Sequence, residues 1–182
     1  MATTKLDEIL ERIGSNTLPP VHLWEPPFSG ELDMRIAADG RWYYQGSLIT
    51  RPSMVKLFSG ILKFEAGEYF LITPVEKYRI QVEDAPFVAV EVDQIIGETP
   101  SLLFRTNVDD EVIADTEHPL VLHTPANSSN PRPYLEVRNG LKALIHRNVF
   151  YQLVEWSQQE VIEGRIQAMI SSRGQRFSLG MI

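Results

Sequence analysis

Short segments of alternating apolar and polar residues, separated by dipeptides that end in glycine, constrain this chain more than any other feature. Residues 34–51 read as strand, turn, strand, turn, strand, with Asp39-Gly40 and Gln45-Gly46 at the turns. Asn139-Gly140 lies between PYLEV and LKALI, the strongest short hairpin signal in the chain, and a Ser-Arg-Gly turn divides the tail into two strands. Glycine and a polar residue before it reach the left-handed backbone of two-residue hairpin turns, whose twist matches that of the paired strands. Further strands are expected across 68–95, broken at Pro74 and Asp84-Ala85-Pro86, and at 101–106, 111–115 and 119–123.

Helical spacing is confined to three places. Leu6, Ile9, Leu10 and Ile13 form one stripe behind a Thr4/Asp7 capping pair, with Gly14 as the stop. Pro52 suits a first helical turn ahead of Met54, Phe58, Ile61 and Leu62. Asn148 is the expected cap for a helix carrying Val149, Leu153 and Trp156 on one face. Pro19, Pro20, Pro26 and Pro27 predict an irregular connector, 97–100 (GETP) a linker, and 124–133 a proline-rich loop. The expected class is α+β: two β-rich units, each with a packed helix, spanning 1–97 and 98–182.

The chain has 182 residues and no cysteine, which removes disulfide scaffolds, thiol nucleophiles and Cys-based metal sites. Acids outnumber bases 24 to 17, for a net charge of −7, which argues against a nucleic-acid polymer as partner. Two or three converging arginines would still suffice for a small phosphate. The N-terminus lacks a secretory pattern and no segment reads as membrane-spanning, so a cytoplasmic location is expected and the Asn127 sequon is silent.

Faint internal similarity is present at two spacings. Residues 71–88 slid 33 positions onto 104–121 match at Thr73/Thr106, Val75/Val108, Ile80/Ile113, Pro86/Pro119 and Val88/Val121. At a spacing of 96, Leu48-Ile49-Thr50-Arg51 meets Leu144-Ile145-His146-Arg147, each after a glycine turn and before a helix. A duplicated domain and convergent hairpins with glycine turns both account for these matches; a solenoid does not, because the period is not sustained.

Asp39-Gly40-Arg41-Trp42-Tyr43-Tyr44-Gln45-Gly46-Ser47 with Arg51, Thr73-Pro74-Val75-Glu76-Lys77 and Val82-Glu83-Asp84-Ala85-Pro86-Phe87 resemble the bacterial family called domain of unknown function 1285. The likeness continues through His118-Pro119-Leu120 and Pro133-Tyr134-Leu135-Glu136-Val137-Arg138 and covers about residues 15–160. It implies a domain duplication, a C-terminal unit resembling a pleckstrin-homology-like fold, and a small ligand, nucleotide-based, at the domain interface with a role in signal transduction. It implies no reaction, and no cofactor is expected.

Residue chemistry gives six candidates for ligand contact: Tyr44, Arg51, Lys77, Asp84, Arg138 and Arg147. Arg51 and Arg147 stand at helix starts, where guanidinium forks and exposed N–H groups suit a phosphate; each would equally serve by pairing with a local acid and pinning its helix. Lys77 follows a turn that a solvated role also explains. Glu83 and Asp84 suit acid/base chemistry or Mg²⁺ with a phosphate, and equally the capping of a turn. One side of Trp42-Tyr43-Tyr44 belongs to the core and the other is free to stack a ring. His118 and His123 face opposite sides of a regular strand, and Asp109-Asp110-Glu111 lacks calcium-loop spacing, so no metal is expected. Rossmann, P-loop and nucleophile-elbow motifs are absent. The leading expectation is a non-catalytic binder of an anionic small molecule. The alternatives are a protein-interaction module and, third, an enzyme using Glu83 or Asp84 with a metal.

Overall fold

Asn139 and Gly140 take φ values of 49° and 80°, the left-handed pair that a two-residue hairpin requires. Gln45-Gly46, Ala66-Gly67, Glu163-Gly164 and Arg173-Gly174 repeat that conformation. These turns organise the chain into antiparallel hairpins. A computed structural model describes residues 18–182, and the helix expected over residues 4–14 lies outside them.

The chain divides into two units between Glu83 and Asp84. In the first, β1 (Phe28–Ile36), β2 (Trp42–Tyr44) and β3 (Ser47–Leu48) are followed by helix α1 (Pro52–Ser59). Then come β4 (Leu62–Glu65), β5 (Glu68–Ile72) and β6 (Lys77–Val82). They form one sheet in the order β3-β2-β1-β6-β5-β4, antiparallel except for the parallel pair of β1 and β6. Pro52 begins α1 and holds Arg51 in the extended region (φ −86°, ψ 112°), as the residue before a proline prefers. The core of this unit contains Met34, Ile36, Leu62, Leu71 and Ile72, with Trp42 stacked on Phe58 of α1 at 6.3 Å.

In the second unit, β7 (Phe87–Ile95), β8 (Ser101–Thr106) and β9 (Glu111–Ile113) precede β10 (Leu120–His123), β11 (Arg132–Arg138) and β12 (Leu141–Ile145). Their order is β10-β11-β12-β7-β8-β9, again antiparallel except where β7 and β12 run parallel. Numbering the strands of each unit one to six gives the same order, 3-2-1-6-5-4, in both. The duplication is therefore visible in topology. Helix α2 (Arg147–Trp156) follows, then a three-stranded sheet of β13 (Gln158–Ile162), β14 (Arg165–Ser172) and β15 (Gln175–Met181). Val149 and Leu153 are buried where α2 packs between β7 and β14. β15 runs beside β10 and β14 beside β8, so the second sheet closes on both halves of the first. Ser172, fully buried, donates to the Ala114 carbonyl at 2.6 Å and accepts from the Leu102 amide at 2.8 Å.

Several expectations change. The division falls before β7 and not at residue 97, because β7 pairs with β8 and β12 of the second unit; 97–100 lies within the β7–β8 connection. The described part of the connector expected at 15–30 contains a 3-10 turn at Val21–Leu23, and the connector stops at β1, which begins at Phe28. His146, not Asn148, caps α2: its Nδ1 accepts from the Asn148 amide at 3.3 Å. The strand β13 was not expected. The sequence matches at 33 and 96 positions join strands that are not equivalent in the two sheets. The first is a shared turn: Thr73 Oγ1 accepts from the amides of Val75 and Glu76, and Thr106 Oγ1 from those of Val108 and Asp110. Among the described residues, no helix is long and apolar enough to cross a membrane.

Candidate functional site

Arg51 and Arg147 are exposed, the first as the residue before α1 and the second as the first residue of α2. They belong to different units, and neither makes an ion pair with another described residue. Most other arginines differ: Arg35, Arg79, Arg105, Arg132, Arg138, Arg173 and Arg176 each meet a carboxylate. The local ion pair that would explain Arg51 or Arg147 structurally is not formed with any described residue.

The remaining candidates are engaged. Lys77 pairs with Glu65 and lies over the Phe70 ring, 4.4 Å from its centroid. That hydrogen bond from Lys77 holds the Glu65 carboxyl below the ordinary glutamate value, with burial opposing. Arg138 pairs with Asp110, both largely shielded, and stacks 5.0 Å from the Phe87 centroid. Tyr44, on β2, is half-buried, and its hydroxyl accepts a hydrogen bond from the side-chain Nε2 of Gln45 at 3.3 Å.

Glu83 and Asp84 are held by separate donors. Glu83 accepts from the Ala38 amide at 2.9 Å and pairs with Arg35. These two bonds, the backbone one first, hold its carboxyl below the usual range. Asp84 accepts from the Tyr134 hydroxyl at 2.7 Å and from Arg132 at 3.3 Å. Burial, reinforced by the bond to Asp84, pushes the Tyr134 phenol well up, so it stays a neutral donor. The exposed His123, paired with Arg132 in the β10–β11 ladder, meets the Tyr134 ring edge-on at 6.2 Å. The two adjacent carboxylates are thus not one acid/base pair. Arg132, Tyr134 and Arg35 were not among the candidates. The alternation of PRPYLEV places Arg132 and Tyr134 on one face, but nothing local points that face at a residue about fifty positions earlier.

His118 and Asp115 do meet, across a turn: Asp115 accepts from the His118 amide and ring and from the Glu117 amide, and Arg173 lies 3.4 Å away. Burial raises the Asp115 value, and the hydrogen bonds from His118 and Glu117 outweigh it, leaving the carboxyl low. Among the described residues no group of three or more His, Asp or Glu is placed to hold a metal ion.

Family models titled domain of unknown function DUF1285 match the chain twice: the N-terminal domain over residues 19–85 and the C-terminal domain over 86–179. The chain belongs to the DUF1285 family. The family boundary lies within two residues of the division between the units. A crystal structure of a DUF1285 family protein from Silicibacter pomeroyi DSS-3 is similar at 44% identity and a TM-score of 0.87, covering 100% of this chain and 97% of that one. A second, from Shewanella baltica OS155, is 31% identical with a TM-score of 0.54 and covers 68% of this chain and 91% of that one. No curated protein matches the chain in sequence.

Proposed function

We propose that this DUF1285 protein is a non-catalytic, cytoplasmic binding module for a small anionic ligand, phosphate-bearing and nucleotide-based, with a role in signal transduction. One observation carries the reading. In a chain of net charge −7, each unit starts its helix with an exposed arginine that no described acid neutralises. A guanidinium offers forked, charge-assisted donors that match phosphate oxygens. The two sheets and single helix of the second unit are in keeping with the pleckstrin-homology-like body that the family resemblance implies.

The test is a thermal-shift series with ATP, GTP, cyclic nucleotides and inorganic phosphate. A ligand bound only by the native state raises the melting temperature with concentration. Arg51→Ala or Arg147→Ala is expected to abolish the shift while leaving the unliganded melting temperature unchanged. A shift unaltered in both variants removes the arginines from the site, and no shift with any phosphate compound ends the reading.

A second reading, a protein-interaction module, is favoured by β13, an edge strand with Val161 72% exposed. Such an edge suits strand addition by a partner. A specific co-purifying protein, lost in Val161→Lys, is the outcome expected of it.

A further inference from the structure

Domain linkers are ordinarily several exposed residues with few fixed bonds, and domain motion follows from that slack. Here β6 ends at Val82 and β7 begins at Phe87, so the connection is short, and its first two residues are each fastened. On one side the Glu83 amide donates to the Ile36 carbonyl at 2.9 Å, extending the pairing of β1 and β6 by one residue. The Glu83 carboxylate accepts from Ala38 in the turn after β1 and pairs with Arg35, whose guanidinium lies 4.4 Å from the Tyr43 ring centroid. On the other side Asp84 is held by Tyr134 and Arg132 of β11, and Tyr134 is itself only 4% exposed. Ala85 and Phe87, at 4% and 0% exposure, follow directly into the core of the second unit.

We infer that Glu83 and Asp84 form a two-sided anchor, one carboxylate tied to each unit, that removes the slack from the junction. Within this connection, movement then passes through the single peptide joining these residues, or first breaks one of the anchors. The carboxylates are suited to this because each accepts two donors at once, fixing direction as well as position. Backbone torsion at one residue pair is the ordinary substance of a hinge. The inference stands or falls apart from the ligand-binding reading, since neither Arg51 nor Arg147 takes part.

A Glu-specific endoprotease, which cuts after glutamate, reads the anchor directly. The native full-length chain is expected to resist cleavage between Glu83 and Asp84. Tyr134→Phe keeps the buried ring and removes the donor, and Arg35→Gln weakens the other side. Tyr134→Phe is expected to speed cleavage at this peptide roughly five- to tenfold, the effect of one lost hydrogen bond on local opening, and Arg35→Gln, which removes a solvent-screened pair, roughly two- to fourfold. The pair Tyr134→Phe/Arg132→Gln is expected to speed it further. Glu160→Gln, which breaks the exposed pair with Arg176, is expected to leave it unchanged. Mass spectrometry of the first fragments decides. Junction cleavage no faster in Tyr134→Phe and Arg35→Gln than in the parent, with melting temperatures intact, overturns the anchor. Acceleration spread evenly over glutamates of both units overturns it as well.

Discussion

The two units share a strand order but seal their sheets in different ways. In the second unit the helix follows the sixth strand, and three further strands add a layer in which Ala168, Ile170, Phe177 and Leu179 are buried. In the first unit the helix is inserted between the third and fourth strands, and part of the sheet is covered by its own long side chains. Lys77 lies over Phe70 and Arg79 over Phe28, and their charged ends go to Glu65, Glu31 and Glu68. Phe70 is buried beneath Lys77, while Phe28, which meets it edge to face at 6.4 Å, stays 54% exposed beside Arg79. A sheet face can thus be closed by another layer of secondary structure or by amphipathic stems that keep their heads in water. The duplication preserved the topology and not the seal.

The sharpest way to break that comparison is to damage the added layer. Phe177→Ala is expected to destabilise the second unit by about 3–5 kcal/mol and leave the first unchanged. Leu153→Ala, fully buried on α2, is expected to cost about 2–5 kcal/mol in the same unit. Denaturant unfolding of versions retaining either Trp42 or Trp156 reports each unit separately. Equal loss at both reporters would mean that the units do not hold their own cores. Ser172→Ala is a smaller blow of the same kind. It leaves the buried Leu102 amide without its acceptor, for an expected loss of about 1–3 kcal/mol confined to the Trp156 reporter.

What was legible in the sequence follows the range of the interactions. Hairpins with a polar residue before glycine, Gln45-Gly46, Asn139-Gly140 and Arg173-Gly174, were visible because turn chemistry is local. Ala66-Gly67 and Glu163-Gly164 adopt the same backbone. Glu163 is as polar as Gln45 or Arg173, but QQEVI before it lacks the apolar–polar alternation that marks a strand, so β13 does not show in the sequence. The unit boundary is hidden in the sequence because what assigns β7 to the second unit is its parallel pairing of Phe87 with Ala143, far along the chain. The duplication was expected, yet the matches offered for it joined non-equivalent strands, since Thr73 and Thr106 recur for what a threonine does in a turn. The pattern that singles out the candidate residues is silent about their partners. Asp84 stands out in the sequence, but its holders, Arg132 and Tyr134, are brought to it only by the fold.

The seal of the first unit is more modest in energy and more sensitive to solvent. Lys77→Ala removes both the stem over Phe70 and the pair with Glu65, and is expected to cost about 1 kcal/mol in the Trp42 reporter. Part of that difference should vanish in 1 M salt, where the Debye length falls to about 3 Å. Lys77→Met keeps the apolar stem and is expected to recover more than half of the loss. Recovery of none of it would make the charge, not the cover, the reason for the lysine.

The smallest effect is in acid. Glu65 and Glu83 in the first unit, and Asp115 in the second, titrate below their ordinary values in the folded protein. The unfolded chain therefore binds protons to them first. Their stabilisation is fully present above roughly pH 5 and is lost as the pH falls through the lowered folded values. With two such carboxylates against one, the Trp42 reporter is expected to lose stability more steeply than the Trp156 reporter between about pH 5 and pH 3. Glu65→Gln holds its side chain permanently neutral and is expected to flatten the slope of the first unit alone. A steeper acid loss in the second unit, or a Glu65→Gln slope that matches the parent, would show that the first unit's cover owes little to its ion pairs.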